Sequence, residues 1–363
     1  MTPLKVIKMK TKLKTQPQKT VIPVIPHGYK PKLDFFETEK GIKLVKDTFE
    51  RKLAGKLNLL RVSAPRFLIT GTGLQDDLAG TQTPVSFKTK ASDRHVEMVH
   101  SLAKWKRYAL WKYGFKHGTG LYTDMDAIRK DEDISPIHSI YVDQWDWERV
   151  ISKEERTLDF LKMIVKKIYS ALLETEAIVE KEFPVLKPRL PREIKFIHSE
   201  DLEKMYPELT PGEREYEITK KLGAVFLIGI GHPLESGEPH DLRAADYDDW
   251  VTKTYEDKRG LNGDILVWHP ERQDCLELSS MGIRVDQTSL LKQLDMMGLS
   301  GRRELEFHKL ILKDKLPLSI GGGIGQSRIC MILLQKAHIG EVQSSVWPPE
   351  VEEEFEKRGV ALL

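Results

Sequence analysis

The stretch LYTDMDAIRKDEDISPIHSIYVDQWDWERV, residues 121–150, carries more potential chemistry than any other in the chain. Arg129 stands just before Asp131, Glu132 and Asp133, a polar run that reads as a turn. Beyond it the residues alternate as in a strand: Tyr141, Asp143, Trp145 and Trp147 point one way, Val142, Gln144 and Asp146 the other. Gln144 and Asp146 then share a face. A carboxylate there would pair an ammonium group and an amide would orient it, which suits a small zwitterion. An exposed acidic strand with tryptophans packed behind it gives the same spacing, and spacing alone favours that plainer reading.

Five further segments hold candidate groups. EMVHSLAKWKRYAL, from Glu97 to Leu110, sets Lys104, Lys106 and Arg107 near Ser101, an anion clamp in one reading and a solvated helix face in the other. RAADYDDW, GLNGDILVW and LELSSMGIRV, beginning at Arg243, Gly260 and Leu276, place carboxylates and hydroxyls at strand ends. Hard oxygen ligands of this kind suit Mg²⁺ held jointly with nucleotide phosphates, and Asp264 and Glu277 are the candidates. Isolated strand carboxylates more often serve solubility. LSIGGGIGQSRICMILLQ gathers Gly321, Gly322, Gly323 and Gly325 ahead of Arg328. Glycines admit a close backbone approach, and the arginine can stack on a base or neutralise phosphate. The segment is no P-loop, and it lacks the third glycine of a dinucleotide fingerprint. Taken with Arg129 it suggests two cations around one ATP.

These groups need elements to position them. Ile42, Val45, Phe49 and Leu53 recur at helical spacing and predict a helix from about Thr38 to Leu57. Leu59 to Val62, followed by Pro65, reads as a short strand and a fixed bend. Ser152 and Glu155 have capping-box spacing ahead of the stripe Leu158, Leu161, Ile164, Val165, Ile168 and Leu172, which predicts a helix opening at Ser152. Ala224 to Ile230 and Ile265 to Trp268 are short enough for buried strands. The expected architecture is α+β: a mixed sheet with helices against it, in one catalytic domain over residues 34–363. A basic, flexible extension, residues 1–33, precedes it, with eight lysines, no acid and interruptions at Pro17, Pro23, Pro26 and Pro31.

Composition narrows the function. In 363 residues, 40% are hydrophobic and 31% charged, enough for a sizeable core under a soluble surface. A formal charge of +2 gives no support to bulk nucleic-acid binding. Cys275 and Cys330 alone cannot build a disulfide framework or a Cys/His metal site, which points to a reducing compartment. With neither a membrane-length apolar run nor a secretory leader pattern, a cytoplasmic protein that avoids membranes is expected.

Together the segments resemble the type A, ammonia-dependent asparagine synthetases, relatives of the class II aspartyl- and asparaginyl-tRNA synthetases. The resemblance runs from about residue 38 to Pro348. The opening helix, strand and Pro65 look like motif 1, RKDED around Arg129 like motif 2, and SIGGGIGQSRICMILL like motif 3. LELSSMGIRVD is similar to the stretch between them that carries metal and nucleotide contacts. The blocks HSLAKWKR, YVDQWDWERV and GLNGDILVW make the match specific.

The resemblance implies a six-stranded antiparallel catalytic sheet flanked by helices and a homodimer formed through motif 1. It also implies synthesis of L-asparagine from L-aspartate, ATP and ammonia through a β-aspartyl adenylate. Asp76 in LQDDLAG, Ser101, Lys106, Gln144, Asp146 and Ser279 fall where the family binds aspartate and brings in ammonia. Arg129, Asp248, Asp264, Glu277, Ser280, Arg284, Gly323, Gly325 and Arg328 fall at the nucleotide, with Asp264 and Glu277 toward Mg²⁺. Asp76, Arg129 and Arg328 would be the catalytic groups. One departure is Ser327, where most class II tRNA synthetases have Glu before the motif 3 arginine. The absence of cysteine at position 2 removes the N-terminal nucleophile of glutamine-dependent enzymes and favours free ammonia. A tRNA synthetase is the nearest rival, but the 37 residues ahead of the first helix are too few for an anticodon-binding barrel.

Overall fold

The computed structural model describes residues 24–80 and 82–363, the side chain of Ala79 excepted. Helix α1 (Phe35–Leu57) starts at a reciprocal capping box between Asp34 and Glu37 and stops at Asn58, whose left-handed backbone, φ 56°, ends the helical run. Strands β1 (Leu59–Arg61) and β2 (Phe67–Ile69) follow, then β3 (Ser86–Lys88), β4 (His95–Met98) and helix α2 (Ala103–Lys112). A long hairpin pairs β5 (Gly120–Ile128) with β6 (Tyr141–Val150), and the Arg129 turn lies at its tip. Next come α3 (Leu158–Glu182), β7 (Lys195–His198), α4 (Ser199–Met205), α5 (Pro211–Leu222) and β8 (Ala224–Ile228). The chain finishes with β9 (Asn262–His269), β10 (Asp274–Ile283), α6 (Gln287–Met296), α7 (Glu306–Leu312), β11 (Ser319–Gly325), α8 (Gln326–Leu333) and α9 (Pro349–Arg358).

The main sheet has eight strands in the order β1-β5-β6-β11-β10-β9-β8-β7, not the expected six. Its six central strands are antiparallel throughout, and each edge adds one short parallel strand, β1 on β5 and β7 on β8. A second sheet, β2-β4-β3, carries the region around Asp76.

One face of the main sheet holds the largest core. Val45, Phe49 and Leu53 of α1, Leu161, Ile164 and Val165 of α3, and Trp145 and Trp147 of β6 are buried there. Each such aliphatic side chain contributes roughly 1.5–3 kcal/mol on leaving water. The α1 stripe is therefore consumed within the chain and by itself asks for no second copy. The opposite face of β5 and β6 packs through Leu121 and Met125 against Trp105 and Leu110 of α2.

Two local expectations shift. Helix α3 begins at Leu158, capped by Thr157, whose side chain accepts from the Phe160 amide. The Ser152 amide does bond Glu155, at 2.8 Å, but in the turn ahead of the helix. The expected extension falls partly outside the described residues, which begin at Val24. Its described part packs on the body: Ile25 and Leu33 are buried, and Tyr29 donates to Glu341 at 2.9 Å. Among the described residues no helix is long and apolar enough to cross a membrane.

Candidate active site

The antiparallel strands β6, β11 and β10 form the floor of a cleft of about 400 Å³. Pleating sends Gln144 and Asp146 of β6 into it while Trp145 and Trp147 go to the core, as the alternation requires. The glycines of β11 clear the space these two side chains need. A Cβ on Gly323 would collide with Gln144 Oε1 and come within 2.8 Å of Asp146 Oδ1, and one on Gly321 would collide with Glu148. The glycine cluster thus makes room for side chains of the neighbouring strand, a reason that sequence spacing did not reveal.

At one end of the cleft the polar groups are buried and mutually bonded. The Asp76 carboxylate, 2% exposed, accepts from the Leu78 amide at 3.0 Å and from Ser101 Oγ at 2.7 Å. Turn capping and a cleft position coincide in this one residue. Lys106, 1% exposed, donates from Nζ to the Gly322 carbonyl at 2.7 Å and lies 3.4 Å from Asp146. Burial pulls its ammonium pKa down, against the pull of Asp146. The second Asp146 oxygen accepts from the Leu102 amide at 3.0 Å, so strand β6 also fixes the start of α2.

At the other end arginines gather. Arg328, on the first turn of α8, donates to the Glu277 carbonyl at 2.9 Å and lies 3.5 Å from its carboxylate. Its other terminal nitrogen meets His138 Nε2 at 2.9 Å. Burial, and next the charge of Arg328, push the His138 pKa down to about 4, so the imidazole is neutral and accepts that bond. Burial raises the Glu277 pKa, but the arginine charges, Arg328 first and then Arg243 and Arg129, outweigh it and hold the pKa below the ordinary value. Ser327 donates to Asp143 through its hydroxyl at 2.8 Å and its amide at 3.1 Å, which pins the start of α8 to β6 and hence aims Arg328.

Of the residues singled out in the sequence, Asp76, Ser101, Lys106, Arg129, Gln144, Asp146, Asp248, Glu277, Ser279, Ser280, Arg284, Gly323, Gly325 and Arg328 all line this cleft. Asp264 does not. It is ion-paired with Arg243, and burial together with the nearby Glu277 charge lifts its pKa to about 7 although Arg243 opposes the rise. Arg284 lines the cleft but is already engaged. It forks onto Glu148, with Nη2 to Oε2 at 2.8 Å, and pairs with Asp248. Burial opposes its charge, yet these two carboxylates hold its pKa above the ordinary value.

The spacing arguments missed Arg243, His138 and Tyr247, which also line the cleft. In RAADYDDW the three carboxylates are the conspicuous groups and the arginine is not, and nothing around His138 distinguishes it from a surface histidine.

Comparison with known proteins places this geometry. The family model for aspartate-ammonia ligase matches residues 36–359. An aspartate–ammonia ligase of Parabacteroides distasonis is 54% identical over 339 residues, 93% of this chain and 98% of that protein. One of Clostridium tetani is 55% identical over 341 residues, 94% and 97% of the two chains. Among solved structures, asparaginyl-tRNA synthetase from Pyrococcus horikoshii, complexed with asparaginyl-adenylate, aligns with a TM-score of 0.63 at 15% identity. That alignment covers 86% of this chain and 70% of the other. Aspartyl-tRNA synthetase from Entamoeba histolytica aligns with a TM-score of 0.59 at 13% identity, covering 86% and 58%. These structural likenesses establish a class II synthetase-like fold, and the matches along nearly the whole sequence decide within it: the chain belongs to the aspartate–ammonia ligase family.

Proposed function

We infer that this chain makes L-asparagine from L-aspartate and ammonia, using ATP to form a β-aspartyl adenylate and releasing AMP and pyrophosphate. Beside its family membership, the observation that carries the reading is one cleft with two unlike ends. Buried carboxylate and ammonium groups with a half-buried amide lie at one end, and guanidinium groups gather at the other.

The chemistry needs both ends. A carboxylate is a poor acyl donor because its leaving group would be hydroxide, and adenylation replaces that with AMP. In the proposed arrangement Gln144, Asp146, Ser101, Lys106 and Ser279 hold aspartate. Arg129 contacts the α-phosphate, and Arg328 clamps or stacks on the nucleotide. Asp248, Ser280, Arg284, Gly323 and Gly325 complete the nucleotide side. Preorganised guanidinium donors stabilise the charge that develops on phosphate. Ammonium has no lone pair, so it must lose a proton before attack. Asp76 is proposed to attract the cation and accept that proton, after which nitrogen bonds to the acyl carbon, the carbon–oxygen bond to AMP breaks, and the nitrogen's second surplus proton passes to the departing phosphate or to solvent.

Mg²⁺ is proposed to accompany ATP. The donor set is compatible in its chemistry: both candidates are hard carboxylate ligands, and the charge of Glu277 raises the pKa of the buried Asp264, a repulsion that a divalent cation relieves. Glu277 faces the cleft, whereas Arg243 holds an oxygen of Asp264, so Glu277 is the more accessible ligand. The ion would neutralise phosphate charge.

A homodimer is proposed from the motif 1 resemblance. Phe36, Leu60, Phe67, Ile69 and Phe87, early in the described chain, remain exposed and are compatible with it. Light scattering that finds only the 41.7 kDa species at micromolar concentration would argue against it. A cytoplasmic location fits a reaction on soluble metabolites. The deciding assay incubates the protein with ATP, Mg²⁺ and aspartate plus ammonium, glutamine or tRNA. Asparagine and AMP with ammonium are expected, and aspartylated tRNA would overturn the reading.

A further inference from the structure

Asp246 is a buried carboxylate that the proposed chemistry does not use. It is 0% exposed and draws three cationic or ionisable donors to the same oxygen: Lys104 Nζ at 3.1 Å, Arg302 Nη1 at 3.1 Å and His308 Nε2 at 3.0 Å. Burial alone would favour its neutral form, but Lys104, His308 and Arg302 hold its pKa well below the ordinary range. These partners come from separate parts of the chain. Lys104 is on the first turn of α2, three residues beyond Ser101, and His308 is on α7. Arg302 sits in the short helical turn Ser300–Glu304.

The other arm of Arg302 reaches Asp77, the residue after Asp76. The Asp76 carboxylate has no freedom independent of its surroundings, because it accepts from the Leu78 amide and from Ser101 Oγ. Its two supports are therefore the backbone of residues 76–78 and the start of α2. Asp246 ties down both, the first through Arg302 and Asp77, the second through Lys104. The loop also meets this region elsewhere: the Phe307 amide donates to the Thr72 carbonyl at 3.2 Å, and a Cβ on Gly73 would lie 3.0 Å from Leu305 Cβ.

We propose that Arg302 is a positioning residue for the ammonia step, bridging Asp77 to the buried Asp246 so that both supports of the Asp76 carboxylate share one anchor. The inference rests on the reading of Asp76 as the group that receives the ammonium proton. Arg302 does not line the cleft and touches neither substrate end. Its loss therefore acts through Asp76 and leaves aspartate activation intact. Displacing a reacting group by about 1 Å costs on the order of a hundredfold in rate.

The test compares Arg302→Gln, Arg302→Lys, Asp77→Asn and Asp76→Asn in the full chain, each checked for folding by thermal denaturation. Asp77→Asn is the safer probe, since it leaves every contact of Asp246 in place. For Arg302→Gln and Asp77→Asn the expected result is aspartate-dependent ATP–pyrophosphate exchange within about threefold of the parent. Asparagine formation should fall at least tenfold, with a raised KM for ammonium. Arg302→Lys should recover part of the loss, because an ammonium group still pairs a carboxylate. If Asp77→Asn and Arg302→Gln lower exchange and synthesis in equal proportion, or change neither, Arg302 has no positioning role. Asp76→Asn separates the two ideas. If it shows the split between half-reactions while the other variants do not, only the positioning proposal fails; if it shows no split, the role of Asp76 fails first.

Discussion

The two ends of the cleft use the same kinds of residue and differ in how many of their donors are already engaged. At the aspartate end Lys106, Ser101 and Asp146 are almost wholly buried, and each is bonded to a strand carbonyl, a carboxylate or a helix-start amide. At the arginine end the Glu277 side chain is 43% exposed, and the Nε atoms of Arg129 and Arg243 have no hydrogen-bond partner among the described residues. The first end is set before substrate arrives, in surroundings where misplacement is costly. The second holds its guanidinium groups beside a partly exposed carboxylate and leaves those two buried Nε donors unpaired. Under the proposed function, recognition of a small zwitterion would rest on fixed shape, and activation of a phosphate on charge gathered at the arginines.

The sharpest way to break this contrast is at the arginines. Arg129→Ala and Arg328→Ala should each lower aspartate-dependent ATP–pyrophosphate exchange by two to three orders of magnitude, about 3–4 kcal/mol per lost transition-state contact. The protein should remain folded, and lysine should rescue poorly because it lacks the forked donor set. Near-normal exchange in either alanine variant would remove that residue from the phosphate end.

Next in size is the separation of half-reactions at Asp76. Asp76→Asn keeps the size of the side chain and removes its charge. Exchange should persist while asparagine formation drops tenfold or more and the ammonium requirement rises. Equal losses in both assays would move Asp76 into aspartate binding, and no loss would leave it as a turn cap.

A smaller effect tests the fixed shape of the buried end. Gly323→Ala drives a methyl into Gln144 and Asp146, an overpacking cost of roughly 1–3 kcal/mol. Although Gly323 is assigned to the nucleotide side, the atoms its methyl would strike are the aspartate-side groups of Gln144 and Asp146, so the KM for aspartate should rise more than that for ATP. A parallel rise in both constants would show that the two ends are not separable.

The smallest effect concerns His138, whose folded pKa of about 4 lies below the ordinary histidine value of 6.5. The unfolded chain binds the proton more readily, so stability from neutral His138 is present above about pH 6.5 and is lost as pH falls toward 4. At pH 6 the loss is about 1 kcal/mol. Thermal denaturation at pH 7.5 and 6 should show a smaller drop for His138→Gln than for the parent, and an identical drop would exclude this histidine as a contributor.

Much of this protein was legible in local pattern. The 3.6-residue stripe of α3, the alternation that sends Trp145 inward and Gln144 outward, and the glycines ahead of Arg328 depend on neighbours within a few residues. The class II resemblance then set these segments in order. Local pattern marked β1 as a strand but gave no sign of β7 and could place neither in the sheet, because the pairing of a short edge strand is decided by the chain it lies beside. Nor could it show that Asp264 is held by Arg243, that Arg284 is closed off by Glu148 and Asp248, or that Asp76 leans on Ser101. Those facts come from strand register and burial, which bring together groups 21 to 136 residues apart and alter their charge states. Sequence determined which chemical groups are present and which face of its element each occupies; tertiary structure decided which are already paired, because pairing and desolvation depend on long-range neighbours.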